Sequence, residues 1–501
     1  MASRIDPSRL VDAQSDRSFF GHPRGLATLF FTEMWERFSY YGMRAILMYY
    51  MLSSIAHGGF GFDKPKAGAI YGPYVSLVYL ATLGGGWFAD KLSGQRRAVL
   101  LGGIFITLGE FCLAVPSEPV FYLALLLLIL GTGLLKGNVS TIVGQLYAKG
   151  DPRRDSGFSL FYMGINLGAL LAPIVCGTVG ERVSWRLGFA LAGVGMLAGV
   201  IQFLLTSRHL GEAGIRAGGA GTPEEHRRYK RLATLGALAF LVLGGAAVAL
   251  QAAGAVQFTA TMVNDALGWC LLAISAGVFS WLIFFGEFSA AERKRSAAIF
   301  VLFIASVAFW GSYEQAGSSL SLFALESTHC VLLGFNFPAS WFQFVQPVFV
   351  VVGSPVFAWL WLALGKREPS SPAKFTIGLL FASFAFVLMV PAAQIASGGK
   401  LAGPLWLTGC YFLQTIGELC LSPVGLSTMT KLAPDRAAGF MMGIWFLSIS
   451  IGNWMAGKAA SLYSSFSLPT LFGAIAGFSL LAALLMALLI RPTVRLMGGV
   501  K

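Results

Sequence analysis

Residues 33–41 read EMWERFSYY and lie inside the first strongly apolar run of the chain, after Leu29-Phe30-Phe31 and before Ile46-Leu47. Two glutamates and an arginine thus stand where a bilayer-spanning helix ordinarily carries no charge, and such groups are costly unless paired or wetted. On a helix, Glu33, Arg37, Tyr40 and Arg44 follow three- and four-residue steps and form one stripe, with Glu36 and Tyr41 flanking it. A stripe of this kind faces a cavity rather than lipid.

The surrounding composition supports a bilayer setting. Of 501 residues, 56% are hydrophobic and only 12% charged, and the mean hydropathy is +0.71. A soluble protein of this size could not hide so much apolar surface. The apolar runs reach about 20 residues or more, which indicates spanning helices rather than barrel strands. The net charge of +13 does not indicate nucleic acid, because the basic residues sit in short loops between apolar runs. The first 22 residues hold no long apolar core and no small-residue cleavage site, and read as a cytoplasmic tail rather than a leader. Of the six cysteines, all but Cys330 fall in apolar runs without a CxxC pair. They read as packing residues, with neither metal nor disulfide expected.

Apolar runs bounded by charges or Gly/Pro breaks place spans near 24–54, 67–92, 98–115, 120–147, 157–179 and 185–206, then near 232–252 and 266–288. Six more follow near 296–325, 337–364, 374–393, 402–430, 437–463 and 468–490. The expected organisation is an N-terminal tail over 1–23, a six-helix lobe over 24–206 and a cytoplasmic linker over 207–231. Two extra transmembrane helices over 232–288, a second six-helix lobe over 296–490 and a tail over 491–501 complete it. With the N-terminus inside, 27 of the 36 Lys and Arg fall in inner segments, five in outer loops and four within spans. Both termini are therefore expected to be cytoplasmic.

The remaining charges within spans are few. Lys136 sits in GTGLLKGNVS, where Gly131, Gly133 and Gly137 let another helix or a ligand approach its ammonium. Glu314 lies among Ser312, Gln315, Ser318 and Ser319, and is read as mid-span. Glu418 precedes Pro423, which should weaken the helix ladder. Glu110 has no partner evident in sequence, and Lys458, nearer a span end, is read as snorkelling. Arg37, Arg44 and Lys136 against Glu314 and Glu418 make one wall of a central cavity basic and the other acidic. Such a cavity suits a zwitterion, and also proton coupling, since a carboxylate among cations can lose and regain its proton. None of the five histidines lies deep in a span, so proton carriage falls to carboxylates.

Six spans, a basic linker and six spans form the layout of two-lobed secondary transporters. The loop GGGWFADKLSGQRR, residues 84–97, resembles the G-x-x-x-D-x-x-G-R-[RK] loop of the major facilitator superfamily. More specifically, TEMWERFSYYG at 32–42 resembles the E-x-x-E-R-F-x-Y-Y-G signature of proton-dependent oligopeptide transporters (the POT family). FYMGINLGALLAP at 161–173 resembles that family's F-Y-x-x-I-N-x-G motif, and FWGSYEQ and GELCLSPVG are similar to stretches in its seventh and tenth core spans. The similarity covers nearly the whole chain. The short loop QIASGGK and the two central helices resemble prokaryotic members.

The resemblance implies an all-α integral membrane protein of the major facilitator fold, with two six-helix lobes and two extra helices, 14 spans in all. It also implies roles for matching positions. Glu33, Glu36 and Glu314 would couple protons. Arg37 and Lys136, with Tyr40 and Asn166, would hold a peptide carboxylate, and Glu418 would take the amino terminus. Arg44 with Glu314, and Lys136 with Glu418, would be gating salt bridges. Tyr41, Tyr79, Trp310 and Trp445 would line side-chain pockets, with plain packing as the other reading. Gln346-Pro347 departs from an Asn-Pro common in relatives, and Tyr313 stands where some members have a second glutamate.

The expected function is a proton-coupled symporter importing di- and tripeptides by alternating access, in a bacterial inner membrane. Its partners would be peptides, protons and the lipid bilayer, with no nucleic acid and a monomeric state. No metal, no cofactor and no enzymatic activity are expected. Another anion or drug carrier of the same superfamily, an intramembrane enzyme and a non-transporting receptor are the rival readings. The enzyme is disfavoured because no deep histidine supplies a metal set or a Ser/His pair.

Overall fold

A computed structural model describes residues 16–148, 151–215, 222–286, 288–433 and 438–498. Of the basic residues in the inner-loop count, Arg4, Arg9, Lys149, Arg216, Arg436 and Lys501 lie outside the described residues. The described chain is almost wholly helical. Its helices are α1 (Arg24–Leu52), α2 (Lys64–Phe88), α3 (Gln95–Leu113), α4 (Glu118–Gln145), α5 (Arg154–Ala172), α6 (Thr178–Arg182), α7 (Trp185–Thr206), α8 (Pro223–Ala252) and α9 (Ala260–Ser280). After these come α10 (Ala290–Tyr313), α11 (Ser319–Ser327), α12 (Phe342–Leu364), α13 (Ser371–Ser397), α14 (Pro404–Leu432), α15 (Ala438–Ser461) and α16 (Leu468–Leu496). A wider turn at Pro173–Gly177 joins α5 to α6, and a tight turn at Glu314–Gly317 leads from α10 towards α11. With each of these pairs counted as one span, the described residues hold the fourteen spans of the expected fold. Nine carry an apolar window long enough to cross a membrane, and α1, interrupted by its charges, is not among them.

Local sequence sets the helix starts. The Thr222 side chain accepts the backbone N–H of Glu225, whose carboxylate reaches back to the Thr222 N–H, and Ser289 and Glu292 repeat this box. These reciprocal caps satisfy donors that a helix otherwise leaves orphaned. They carry α8 back to Pro223, inside the expected linker 207–231, and α10 back to Ala290, ahead of the expected 296. At the other end α16 runs on to Leu496, past the expected 490.

The chain forms two compact units. The first comprises Met1–Met43, Ala81–Cys176 and Arg186–Thr259. Within it α3 packs along α4, and α2 meets α4 so closely that a Cβ at Gly85 would strike the Gly133 backbone and one at Gly133 would strike Ala81. The second comprises Arg44–Leu80, Gly177–Trp185 and Ala260–Lys501. In it α13 packs on α14 and α16, and α10 on α15, around Phe303, Phe309, Trp310, Phe375, Leu421 and Ile444.

The unit boundaries do not follow the expected lobes. The second unit takes residues 44–80 and 177–185 from the first six spans, and its contacts show why. Ser76 and Ser450 each donate to the other's carbonyl at 2.8 Å, Lys64 pairs with Glu326 at 2.7 Å, and the Tyr49 hydroxyl donates to the Ser321 carbonyl at 3.1 Å. The two extra helices are divided as well, α8 belonging to the first unit and α9 to the second. In the second unit, the Trp454 indole of α15 donates to the Asn264 carbonyl of α9 at 2.9 Å, and Lys458 pairs with Asp265 at 2.5 Å. Lys458, read from sequence as snorkelling, therefore has a carboxylate beside it.

Candidate functional site

The first unit gathers the charges of α1. Helical periodicity turns Glu33, Glu36 and Arg37 towards one buried region, where each is nearly inaccessible. Glu36 grips the Arg37 guanidinium with both oxygens, through Nε and, at 2.6 Å, through Nη2. Glu33 reaches only Arg37 Nε, at 3.3 Å, and its Oε2 has no hydrogen-bond partner among the described residues. A fork bound by two oxygens is the strongest geometry open to these groups. The guanidinium also lies 5.2 Å from the centroid of the Tyr40 ring, and Tyr41 stands edge-on to Tyr40 at 5.2 Å.

Lys136 of α4 acts electrostatically on Glu33. Its helix is fixed against α2 by the Gly85–Gly133 contact and by Asn138, whose amide donates to the Gly85 carbonyl at 3.2 Å and the Leu134 carbonyl at 2.7 Å. Asn166 of α5 is buried and turns its amide to the Tyr162 carbonyl at 2.9 Å. Sequence offered Glu110 no partner. The structure supplies one in Ser39, which donates to Glu110 Oε1 at 3.1 Å, while Oε2 has none among the described residues. Ser39 lies inside the ERFSYY stretch, so an i+3 step from Glu36 was the signal that could have found it.

The second unit holds the remaining charges in two places. Arg44, at the far end of the α1 stripe, donates to Glu314 at 2.6 Å and to the Tyr71 hydroxyl at 3.0 Å, with both charged groups buried. Glu314 lies well inside the span Ala290–Ser327, where it opens the turn that ends α10, and Tyr71 and Arg44 fill the space beside Gly317 that a side chain would need. Removing one partner of so buried a pair leaves a charge without compensation and costs about 3–5 kcal/mol.

Glu418 of α14 accepts the Tyr313 hydroxyl at 2.6 Å. Tyr313, the chain neighbour of Glu314, thus bonds a glutamate of a different helix. Gln346 of α12 donates to Gln414 at 2.9 Å, and Gln414 donates to the Ser312 carbonyl at 3.2 Å, so the longer amide is tied back to α14 and α10. Trp310 meets Tyr313 edge-on at 5.2 Å and Trp445 at 6.4 Å, and its indole N–H has no partner among the described residues. Tyr79 lies 6.3 Å from Phe446. Among the described residues, no three His, Cys, Asp or Glu side chains gather as a metal site.

A buried Glu–Arg fork with a lysine in one unit, and a tyrosine-bound glutamate among tryptophans in the other, is an arrangement for holding opposite charges rather than for bond chemistry. Comparison with known proteins bears on this directly. A model of the POT family matches residues 96–475.

The chain belongs to the POT family.

It is 39% identical to the peptide transporter YePEPT of Yersinia enterocolitica over 96% of its own length and 97% of the relative's. It is 36% identical to a di-/tripeptide transporter of Lactococcus lactis subsp. cremoris, over 97% and 99%. Among solved structures, a peptide transporter POT in complex with sulfate superposes with a TM-score of 0.93 at 42% identity, covering 99% of this chain and 100% of that one. This POT chain is therefore a multi-pass membrane transporter of the major facilitator fold, and not an enzyme. One functional candidate that sequence reading passed over is Glu181. It lies just past the expected fifth span of 157–179 and so fell outside the charges assigned to membrane depth.

Proposed function

We propose that this POT transporter is a proton-coupled symporter that imports di- and tripeptides by alternating access. One observation carries the reading: the buried Arg37 and the half-buried Lys136 belong to the first unit, and the half-buried Glu418, held by Tyr313, belongs to the second. A short peptide has a carboxylate at one end and an ammonium at the other, and matches such a pair of half-sites. The names of the relatives, a peptide transporter and a di-/tripeptide transporter, support the same substrate class.

In the proposed cycle Arg37 and Lys136 receive the carboxylate, with Tyr40 and Asn166 beside them, and Glu418 receives the amino terminus. Tyr41, Tyr79, Trp310, Gln346 and Trp445 surround the side chains. Glu33, Glu36 and Glu314 exchange protons as their arginine pairs form and break. The peptide carboxylate competes with an internal glutamate for Lys136 and so loosens a Lys136–Glu418 gate. One proton moving down 100 mV supplies ~2.3 kcal/mol, enough to bias such an exchange. Both termini would then be cytoplasmic, the membrane a bacterial inner membrane, and the working unit a monomer.

The test is uptake of labelled dialanine into proteoliposomes of the purified protein. Uptake should require an inward proton gradient or potential and be competed by di- and tripeptides but not by nitrate. Lys136→Ala should abolish it while the thermal melting profile stays that of a folded protein. Unaltered uptake in that variant would sink the Lys136 assignment, and competition by nitrate alone would sink the peptide reading.

A further inference from the structure

The short helix α6 and the entry to α12 are joined by polar contacts that involve none of the residues proposed to touch peptide or proton. The Glu181 carboxylate accepts the backbone N–H of Ala339 at 3.0 Å and of Ser340 at 2.7 Å. These are orphan donors of the turn Ala339–Trp341 that opens α12, at the positive end of the helix dipole. The Trp341 indole donates to Thr178 Oγ1 at 2.8 Å, and Arg182 donates to the Asn336 carbonyl at 2.6 Å. Gly177 meets Ser340 so closely that any Cβ there would collide with its hydroxyl. The receiving surface is stiffened by a small antiparallel hairpin, β1 (Val331–Leu332) with β2 (Phe335–Asn336), and by Phe337 stacked on Trp341 at 6.3 Å.

The place of this clasp in the chain gives it a meaning beyond packing. The wide turn Pro173–Gly177 is where the polypeptide leaves the first compact unit, at Cys176, and enters the second, at Gly177. A five-residue helix is thus held by the second unit while the rest of its span belongs to the first. Any rearrangement that moves α5 relative to α12 must strain that turn or open the clasp. Opening is feasible, because Glu181 and its neighbours Arg182 and Val183 lie at a helix end with solvent access, and Arg182 and Val183 are themselves exposed. Water can take over the released carboxylate and N–H groups there.

We propose that Glu181 is a latch, a positioning residue for transport that fastens α6 to the start of α12 in one state of the cycle and releases it in the other. It works beside the deeper Arg44–Glu314 pair. The proposal rests on the alternating-access reading, and its test is chosen so that the two can fail separately. In a protein with its native cysteines replaced, spin labels at Val183 and Leu333, both well exposed, report the distance across the clasp without any substrate. Glu181→Gln should raise the ratio of long to short distances about tenfold, the size expected for a lost charge-assisted hydrogen bond. Thr178→Val should shift it in the same direction by less. In uptake, Glu181→Gln should lower the KM and the maximal rate together, since an open clasp enlarges the binding-competent fraction but removes a step of the return.

A distance distribution in both variants identical to that of the unsubstituted protein overturns the latch. A lowered melting temperature with no change in distance assigns Glu181 a structural role only and also overturns it. If distances shift but no peptide is taken up by the unsubstituted protein, the latch stands and the substrate reading falls.

Discussion

Glu36 and Glu33 face the same guanidinium but do not share it equally. Glu36 supplies both oxygens, whereas Glu33 makes one longer contact and leaves an oxygen without a partner among the described residues. A carboxylate with a spare oxygen can take a proton without breaking its arginine contact, while a bidentate one cannot. The asymmetry predicts unequal costs. Glu36→Gln should destabilise by about 3 kcal/mol, because Arg37 stays buried with its main counter-charge gone. Glu33→Gln should cost less, about 1 kcal/mol, because Arg37 keeps its Glu36 fork and only one longer ion-pair contact is lost. Thermal unfolding of the two variants in the same detergent measures the difference, and an equal loss would contradict the geometry. The stripe itself was readable from three- and four-residue spacing. Which neighbour each charge would choose was not, since that depends on rotamers and on Lys136, which lies far away in sequence.

At the scale of the element, helix lengths and breaks show where sequence reading stopped. Capping boxes such as Thr222–Glu225 are local signals, but a hydropathy window centred on apolar residues passes over them and starts α8 too late. The break after Tyr313 has a weak local signal in Gly317, Ser318 and Ser319, and Tyr71 and Arg44, from elements far away in sequence, occupy the space beside Gly317 that a side chain would need. Tertiary contact overrides the good helical propensity of Glu314, Gln315 and Ala316 there. Gly317→Ala should therefore push Arg44 away from Glu314, lower the melting temperature and reduce uptake. Gly137→Ala, where a Cβ would meet open space, should leave stability unchanged or slightly raise it. Equal melting temperatures for the two variants would show that the Gly317 contact is soft. Glu181 escaped sequence reading for a related reason: its partners are backbone N–H groups, which carry no sequence mark.

At the scale of the whole molecule, the fourteen spans were legible because hydropathy is a dense, redundant signal. The compact units were not, because they cut across α1, α2 and the fifth span, and only tertiary contacts such as Ser76–Ser450 reveal the cut. The pair α8–α9 presents the opposite case. No described side chain of α8 is buried, whereas α9 is held through Asn264, Asp265 and Gly268 on Trp454 and Lys458 and through Leu271 and Phe279 in the second unit's core. The two make an even number of crossings, so replacing residues 223–285 with a flexible linker keeps the last six spans in their original sense. Such a protein should fold with a lower melting temperature and retain peptide uptake, since every residue proposed to handle peptide or proton lies elsewhere. Loss of uptake in a protein that still melts cooperatively would assign the pair a working role.

The Glu36–Arg37 fork has one more consequence. On the proposed reading, in which Arg37 receives a peptide carboxylate, that seat is already held by a carboxylate of the protein itself. An arriving peptide gains only the difference between its own grip and that of the resident, and the same difference is returned when it leaves. A carrier built this way trades affinity for turnover. Under that proposal each passenger would be released because the resident carboxylate stands ready to return to its arginine.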